Sequence, residues 1–186
     1  MLGAVLTGGA SRRMGRDKAL VELDGVAMVL HVAAALRAAG ASEVFAVGGD
    51  AAALGALGLR VVADRFPGEG PLGAIITALR SAGIEDVVTA PCDMPWITAS
   101  HVGGVVDALR NEIDVAHSEQ HLFAAWRASA LPELEAAFAG GERAPKRALA
   151  ALRTVVVRLP AGQWSADVDA PSDLFVGHEW PREGHS

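Results

Sequence analysis

The sequence predicts an α/β protein of three layers, in which a mostly parallel β-sheet carries helices on both of its faces. Two observations support this fold class. Short predicted strands alternate with helix-length segments along the chain, and the first of these strands, residues 2–7, is an apolar run of the form expected for a strand buried on both faces. Sheets of this kind bind ligands beyond the carboxyl ends of their strands, so functional residues are expected directly after the strands.

Four strands and four helices are predicted in the first half of the chain. The strands are expected at residues 2–7, 43–47, 59–63 and 86–90. The helices are expected at residues 26–39, 51–57, 71–82 and 99–110. Gly40 and Gly83 follow two of these helices and Pro71 opens one, which are common signals for helix ends and starts.

The second half of the chain is less regular. Two short strands at residues 113–117 and 122–127 surround a polar turn, which predicts a small antiparallel hairpin or the edge of a mixed sheet. Helices are expected at residues 132–139 and 144–152, a strand at 154–159, and an extended segment at 164–169 that leads into a helix start at "PSDL". No repeat or linker interrupts this order. We therefore expect a single domain over residues 1–176 and a polar tail over 177–186.

Composition restricts the classes of function. The chain of 186 residues has a net charge of −6, which argues against a general nucleic-acid-binding or anionic-membrane surface. The single cysteine excludes an internal disulfide and favours a reducing compartment. Neither a signal peptide nor an apolar run of membrane-spanning length is recognised, so a cytoplasmic protein is expected, with its oligomeric state open.

The stretch "LTGGASRRMGRDKA", residues 6–19, concentrates basic residues and glycines directly after the first predicted strand. A glycine-rich turn lets backbone N–H groups approach an anion, and arginine and lysine side chains add charged contacts to phosphate oxygens. A polyphosphate ligand is therefore indicated. The spacing fits neither a Walker A loop nor a dinucleotide-binding fingerprint, and a solvated basic loop is the alternative.

Asp93 follows the fourth predicted strand and lies at the same edge of the sheet as the glycine-rich stretch. A carboxylate there suits Mg²⁺, which takes oxygen ligands and bridges phosphates, although an aspartate in an ordinary turn is the alternative. Asp167 or Asp169 could be its partner, or Asp169 could simply cap the helix that follows. Asp64, after the third strand, could receive a sugar hydroxyl or contribute a second metal contact.

Two further segments could bind ligands. The glycine loop "GEGPLG", residues 68–73, could offer backbone groups to a base, or could be a plain turn. Arg143, Lys146 and Arg147 stand near a predicted helix start and could meet a second anionic substrate, or could be ordinary surface charge. The histidines His117 and His121 are interpreted as neutral and not as metal ligands. Cys92 is not expected to be a nucleophile, because the neighbouring Asp93 opposes thiolate formation.

These stretches together resemble the nucleotidyltransferases with a Rossmann-like, glycosyltransferase-A-like fold, the nucleotide-diphospho-sugar transferase type. Residues 6–19 are similar to the LAGGxSxRMGxDK signature of that superfamily. The likeness continues through "VVADRFPGEGPLGAI", "APCDMPWI", "AGGERAPKRAL" and "DVDAPSDL" in the same order, and so spans nearly the whole chain. Within the superfamily, the chain looks like the molybdenum cofactor guanylyltransferases.

The resemblance implies an enzyme that transfers GMP from GTP to the terminal phosphate of molybdenum-molybdopterin and releases pyrophosphate, with Mg²⁺ or Mn²⁺ as cofactor. Its partners would be GTP, molybdopterin and, in addition, molybdoenzyme maturation proteins. The catalytic residues implied are Arg13, Lys18 and Asp93. The nucleotide-binding residues implied are Leu6, Gly8, Gly9, Lys18, Asp64, Gly70, Pro71, Leu72 and Asp93. The metal ligands implied are Asp93 and Asp169, and the acceptor-binding residues implied are Arg143, Lys146 and Arg147.

Two departures from the family pattern leave alternatives open. Relatives often carry asparagines where this chain has Asp167 and Asp169, and an asparagine where this chain has glycines around residues 47–50. The first departure bears on metal binding and on contact with the pterin phosphate. The second leaves nucleotide preference between GTP and CTP open, and transfer from another nucleoside triphosphate is the first alternative. A noncatalytic nucleotide-binding maturation factor is the second.

Overall fold

The computed structural model describes residues 1–8, 17–110, 112–160, 162 and 164. The strands within this part of the chain are β1 (Leu2–Leu6), β2 (Glu22–Leu23), β3 (Val26–Ala27), β4 (Val44–Val47), β5 (Arg60–Val62), β6 (Val87–Pro91), β7 (Val115–His117), β8 (Ala124–Trp126) and β9 (Thr154–Val156). The helices are α1 (Met28–Ala38), α2 (Ala51–Ala56), α3 (Pro71–Ala82), α4 (Ala99–Ala108), α5 (Leu131–Ala139) and α6 (Pro145–Ala148). Single turns of 3₁₀ helix occur at Lys18–Leu20, Ala128–Ala130 and Leu149–Ala151.

Seven of the described strands form one sheet in the order β5-β4-β1-β6-β8-β7-β9. Strands β5, β4, β1 and β6 are parallel to one another. Strand β8 is antiparallel to both β6 and β7, and β9 is parallel to β7. The mostly parallel sheet and the hairpin in the second half are thus confirmed, and the hairpin is part of the main sheet.

Helices cover both faces of this sheet, which confirms the three-layer prediction. On one face, α1 and α4 pack over the side chains of the strand residues Val5, Ala46, Val88 and Ala125. On the other face, α3 and α5 pack over Ala4, Phe45, Val87 and Trp126. Because successive strand residues point to opposite faces, nearly every position of these strands is apolar, and Thr89 of β6 is a buried polar exception. This explains the continuous apolar runs in the sequence.

A short antiparallel ribbon of β2 and β3 was missed by the sequence analysis, which expected a helix to begin at residue 26. In the structure the helix begins at Met28, and Val26 pairs with Leu23. Asp24 and Gly25 turn the chain with positive φ angles of 52° and 77°. An Asp-Gly pair of this kind is a strong signal for a two-residue hairpin turn, and it could have been recognised.

The predicted helix at residues 144–152 is also shorter than expected. It consists of α6 followed by a 3₁₀ turn at Leu149–Ala151, and β9 ends at Val156, before residue 159. Residues 165–169 of the extended segment predicted at 164–169, the "PSDL" helix start and the tail at 177–186 lie outside the described residues. No helix in the described part of the chain is both long and apolar enough to cross a membrane.

Candidate active site

A cleft of about 990 Å³ lies at the carboxyl ends of the parallel strands, where the fold class places ligands. Its walls are formed by the segments that follow β1, β4, β5 and β6, and by the loop that leads into α3. The residues after the strands are Thr7, Gly8, Gly48, Gly49, Ala63, Asp64, Cys92 and Asp93. The loop contributes Pro67, Gly68, Gly70 and Pro71, and the 3₁₀ turn contributes Lys18.

Lys18 and Asp93 meet in this cleft. The ammonium nitrogen Nζ of Lys18 is 3.3 Å from Oδ2 of Asp93, although the two residues are 75 positions apart in the sequence. Both side chains are largely shielded, with 13% and 28% of their surface exposed. The sequence analysis predicted that Lys18 and Asp93 belong to one site. In the structure both side chains lie on the same wall of the cleft.

Asp17 fixes the turn that carries Lys18, and the sequence analysis did not assign it a role. Its Oδ1 accepts a hydrogen bond from the N–H of Ala19 at 3.0 Å, and its Oδ2 accepts one from the N–H of Asp50 at 3.0 Å. Asp50 in turn caps α2 by accepting hydrogen bonds from the N–H groups of Ala52 and Ala53. The Lys18 turn is therefore tied to the loop between β4 and α2.

Glycines allow that loop to run against the end of β1. Gly49 has a φ of 76°, and a Cβ atom on it would lie 2.9 Å from both Leu54 Cδ1 and Thr7 Oγ1. A Cβ on Gly48 would lie 3.1 Å from the Cα of Gly8. Thr7 donates to the carbonyl oxygens of Val47 and Gly48, both at 2.9 Å. This wall of the cleft consequently presents backbone and not side chains.

Asp64, Gly70 and Pro71 also line the cleft. Asp64 lies close to Gly8, because a Cβ atom on Gly8 would be 3.6 Å from Oδ2 of Asp64. Oδ1 of Asp64 accepts hydrogen bonds from the N–H of Phe66 at 3.0 Å and from the hydroxyl of Thr77 at 3.3 Å. These bonds fix the direction of the carboxylate. Leu6 also lines the cleft.

Leu72 is placed differently from its neighbours. Its side chain is fully buried in the core and is not among the residues that line the cleft. Its N–H donates to the carbonyl oxygen of Arg143 at 3.2 Å. Leu72 therefore anchors the loop before α3 and exposes neither its side chain nor its N–H to a ligand.

Arg143, which the resemblance placed at the acceptor, is occupied by contacts to its own surroundings. Its guanidinium lies 3.9 Å above the ring of Phe138, donates to the carbonyl oxygen of Phe138 at 2.8 Å, and pairs with Glu69 at 2.8 Å. A Cβ on Gly70 would lie 3.2 Å from the backbone oxygen of Arg143. Arg143 thus braces the loop that contributes Gly70 to the cleft.

Arg147 is also paired, and Lys146 is exposed at the surface. The guanidinium of Arg147 donates to Glu142, and this bond is the main reason that the pKa of the Glu142 carboxyl falls to about 2. None of Arg143, Lys146 and Arg147 is among the described residues lining the cleft.

The thiol of Cys92 lies in the cleft wall in protonated form. Burial, and then the neighbouring Asp93, raise its pKa to about 12. Its interpretation as a residue that is not a nucleophile agrees with this geometry, but burial contributes more than the aspartate on which that interpretation depended.

The carboxylate of Asp93 fits a metal that is completed by substrate oxygens. Among the described residues, no group of three or more His, Cys, Asp and Glu side chains could hold a metal ion. Mg²⁺ commonly takes one or two protein carboxylates together with phosphate oxygens and water, so an all-protein cage is not needed. Gly9, Arg13, Asp167 and Asp169 lie outside the described residues.

The strand order and a cleft that combines a backbone wall, a lysine and an aspartate at the strand ends define a nucleotide-binding α/β protein of the nucleotidyltransferase class. Residues 3–156 match the family described as the MobA-like NTP transferase domain, and the chain belongs to this family. The chain is 36% identical over 171 residues to a probable molybdenum cofactor guanylyltransferase of Opitutus terrae, covering 86% of this chain and 85% of that protein. It is 32% identical to the molybdenum cofactor guanylyltransferase of Rhodobacter capsulatus, covering 97% and 91%.

The fold is also similar to a solved structure of named function. The crystal structure of molybdopterin-guanine dinucleotide biosynthesis protein A from Archaeoglobus fulgidus superposes with a TM-score of 0.70 at 26% identity. The match covers 94% of this chain and 95% of that one. Sequence and structure comparisons therefore agree over almost the full chain.

Proposed function

We propose that this protein transfers GMP from GTP to the terminal phosphate of molybdenum-molybdopterin, releasing pyrophosphate and forming the molybdopterin guanine dinucleotide cofactor. The names of the relatives from Opitutus terrae and Rhodobacter capsulatus support this reaction. The observation that carries the proposal is the meeting of Lys18 and Asp93 at 3.3 Å in a cleft lined by backbone groups. A cation and a carboxylate placed together in this way suit the charge of a triphosphate.

The residues of the cleft have separate roles in the proposal. Lys18, assisted by Arg13, stabilises negative charge on the α-phosphate and on the departing pyrophosphate. Gly8 and Gly9 let the backbone approach the nucleotide closely. Asp64, Gly70 and Pro71 hold the ribose and the base, and Leu6 lines the same cleft.

The transfer itself needs alignment more than acid–base chemistry. An oxygen of the acceptor's phosphate forms a bond to the α-phosphorus, while the bond from that phosphorus to the bridging oxygen of the β-phosphate breaks. A phosphate nucleophile is already anionic near neutral pH, so no general base is required. Lys18 therefore contributes by positioning and charge stabilisation, with in-line geometry set by the cleft.

Asp93 and Asp169 are the proposed ligands of Mg²⁺ or Mn²⁺. When bound, the metal neutralises charge on the phosphate oxygens. The ion pair with Lys18 holds the Asp93 carboxylate in place in the cleft.

A second candidate is cytidylyl transfer to the same acceptor. One observation favours keeping it: the loop at Gly48 and Gly49 offers a nucleotide only backbone groups, so base selection from this wall depends on the backbone alone. The alternative shares every role assigned above except recognition of the base.

Pyrophosphate release tests both candidates. The protein is incubated with each of the four ribonucleoside triphosphates, with and without molybdopterin, in the presence and absence of EDTA. Molybdopterin-dependent release with GTP that EDTA abolishes is expected. Dominant release with CTP would replace the guanylyl assignment, and GTP binding without release for any pair would reject transfer altogether.

A further inference from the structure

The carboxylate of Asp64, which lines the cleft, has only one of its two oxygens open to a ligand. Its Oδ1 accepts hydrogen bonds from the N–H of Phe66 at 3.0 Å and from the hydroxyl of Thr77 at 3.3 Å. Its Oδ2 lies beside Gly8, where a Cβ atom would be 3.6 Å from it, and Gly8 also lines the cleft. Within the described part of the chain, Oδ2 accepts no hydrogen bond. It is therefore the oxygen that can accept one from a bound molecule.

Thr77 contacts this carboxylate from the second turn of α3. Its side chain is fully buried, and it is not among the described residues that line the cleft. Its hydroxyl oxygen accepts a hydrogen bond from the N–H of Arg65 at 3.2 Å. Its one proton is shared between Oδ1 of Asp64 and the carbonyl oxygen of Gly73, which is 2.9 Å away. The hydroxyl thus joins α3 to the side chain of Asp64 and to the backbone that follows it.

The loop after Asp64 also packs on α3, at Gly73. A Cβ atom on Gly73 would lie 2.8 Å from Cβ of Phe66, so the absence of a side chain there allows this close approach. The ring of Phe66 further contacts the ring of Phe138, with 4.5 Å between the centroids. This packing keeps the N–H of Phe66 at Oδ1 of Asp64. Helix α3 therefore holds Asp64 through two contacts, the backbone of Phe66 and the hydroxyl of Thr77.

The occupation of Oδ1 limits the kind of donor that Asp64 can take. A carboxylate oxygen has two lone pairs, and Oδ1 uses both for contacts within the protein. Two adjacent N–H donors, as on the base guanine, need both oxygens of a carboxylate for a bidentate contact. With Oδ2 alone open, Asp64 suits a single donor, and a ribose hydroxyl is such a donor.

We propose that Thr77 is a positioning residue for nucleotide binding, whose hydroxyl holds the Asp64 carboxylate so that Oδ2 accepts a hydrogen bond from a ribose hydroxyl. This inference rests on the proposed function, in which Asp64 contacts the nucleotide. A carboxylate that is already held in one orientation loses less conformational freedom when the nucleotide binds. Because the same contact exists before and during transfer, it contributes to nucleotide affinity and not to the rate of transfer.

Replacement of the hydroxyl by a methyl group tests this role. Thr77→Val keeps the shape of the side chain but cannot hold Asp64, whereas Thr77→Ser keeps the hydroxyl. Ser81→Ala is the matched control, because Ser81 lies one turn further along α3 and its hydroxyl donates to the carbonyl oxygen of Thr77 at 2.8 Å. The Kd for GTP is measured by calorimetry, and thermal unfolding shows whether each variant is folded. Thr77→Cys, with its weakly hydrogen-bonding thiol, takes the place of Thr77→Val if the latter does not fold.

We expect Thr77→Val to raise the Kd for GTP about fivefold, and Thr77→Ser and Ser81→Ala to stay within about twofold of the unaltered protein. The KM for GTP of Thr77→Val should rise by the same factor while kcat is unchanged, since the lost contact is uniform along the reaction. An unchanged Kd for Thr77→Val would overturn the inference. A rise of equal size in Thr77→Ser would do the same, because that variant retains the hydroxyl.

A double-variant cycle separates positioning from a general effect on the fold. Asp64→Ala removes the group through which Thr77 is proposed to act. Thr77→Val should therefore cause no further rise in the Kd for GTP when it is introduced into Asp64→Ala. An equal rise with and without the Asp64 carboxylate would show that Thr77 acts only through the stability of α3.

Nucleotides that lack one hydroxyl identify the donor. The ratio of the Kd of Thr77→Val to that of the unaltered protein should fall to about one with either 2′-deoxy-GTP or 3′-deoxy-GTP, whichever lacks the hydroxyl that Oδ2 accepts. A ratio that stays at the GTP value with both would overturn the assignment to the ribose.

Failure of the proposed function gives a different result. GTP binding that depends on Thr77, without molybdopterin-dependent release of pyrophosphate, would reject transfer and support the role of Thr77. The absence of binding by any of the four ribonucleoside triphosphates would reject both.

Discussion

The ammonium group of Lys18 and the carboxylate of Asp93 are 3.3 Å apart at the edge of the cleft, and each limits the freedom of the other. Lys18→Met should lower kcat for GMP transfer by about 10²–10³, since it removes a preorganised cation from the charged transition state. Asp93→Asn should have a comparable effect. The double variant should lose much less than the product of the two, because the residues act as a unit. Steady-state pyrophosphate release measures each value.

Arg60→Met is the control for this pair. Arg60 pairs with Glu43 at the sheet's edge, with 44% and 48% of the two side chains exposed. Loss of such an exposed pair should leave kcat within about twofold of the unaltered protein. Equal losses at Lys18 and Arg60 would show that the effect is general and not local to the cleft.

Asp17 should act as a positioning residue. Asp17→Ala removes the acceptor that joins the N–H groups of Ala19 and Asp50, so the Lys18 turn is no longer tied to the loop after β4. We expect kcat to fall about tenfold, in line with the loss of one or two charge-assisted hydrogen bonds, while the KM for molybdopterin is unchanged. Asp17→Asn, which keeps one acceptor oxygen, should recover part of the loss. Equal kcat values for Asp17→Ala and the unaltered protein would show that Asp17 does not act as a positioning residue.

Gly49 and Gly55 provide a matched pair of glycine substitutions. Gly49→Ala places a methyl group 2.9 Å from Leu54 Cδ1 at a φ of 76°, and it should lower the free energy of unfolding by about 2 kcal/mol. Gly55→Ala lies in α2 with no atom within 4 Å of the new methyl group, and it should raise that free energy by about 0.5–1 kcal/mol. Urea unfolding measures both. The same sign for both variants would contradict the assigned backbone geometry.

Arg143→Met should affect the nucleotide side and not the acceptor side. It removes the guanidinium that lies 3.9 Å above Phe138 and pairs with Glu69, so the loop carrying Gly70 loses its brace. We expect the free energy of unfolding to fall by about 1–2 kcal/mol and the KM for GTP to rise several-fold. A selective rise in the KM for molybdopterin would instead indicate that Arg143 binds the acceptor.

Cys92 should be unreactive in the folded protein. Burial raises the pKa of its thiol from 9.0 to about 12, so the folded state favours the neutral form. The associated stability is present below pH 9 and is lost as the pH rises towards 12. Modification by a disulfide reagent at pH 8 should be at least about a hundredfold slower in buffer than in urea. Because the chain has a single cysteine, the released chromophore reports this thiol alone.

The fold could be predicted from the sequence where a local pattern determined the outcome. The apolar strands and the proline and glycine at the two ends of α3 are of this kind, and α3 was predicted with its observed bounds, Pro71–Ala82. The β2–β3 ribbon was missed because the alanine-rich pattern after it outweighed the Asp-Gly turn. Helix α6 was predicted too long because helical composition continues through residues that turn as 3₁₀ helix.

The site was predictable only where chemistry and position in the fold class coincided. Asp93 and Lys18 could be placed at one edge of the sheet because both belong to segments at the ends of strands. The pairing of Arg143 with Glu69 could not be predicted from the sequence. The two residues are 74 positions apart, and their contact depends on how α3 and α5 pack. The tether from Asp17 to Asp50 joins residues 33 positions apart, and no spacing rule reveals it.

The reversed direction of β8 has an evolutionary consequence. Strands β1, β4, β5 and β6 all end at the cleft, whereas β8 begins there, so the turn ahead of β8 lies beside the cleft and contributes Leu122 to its lining. Insertions or exchanges in that turn could retune which molecule is accepted, while the machinery for the nucleoside triphosphate stayed intact. One scaffold could in this way diversify its second substrate independently of its first.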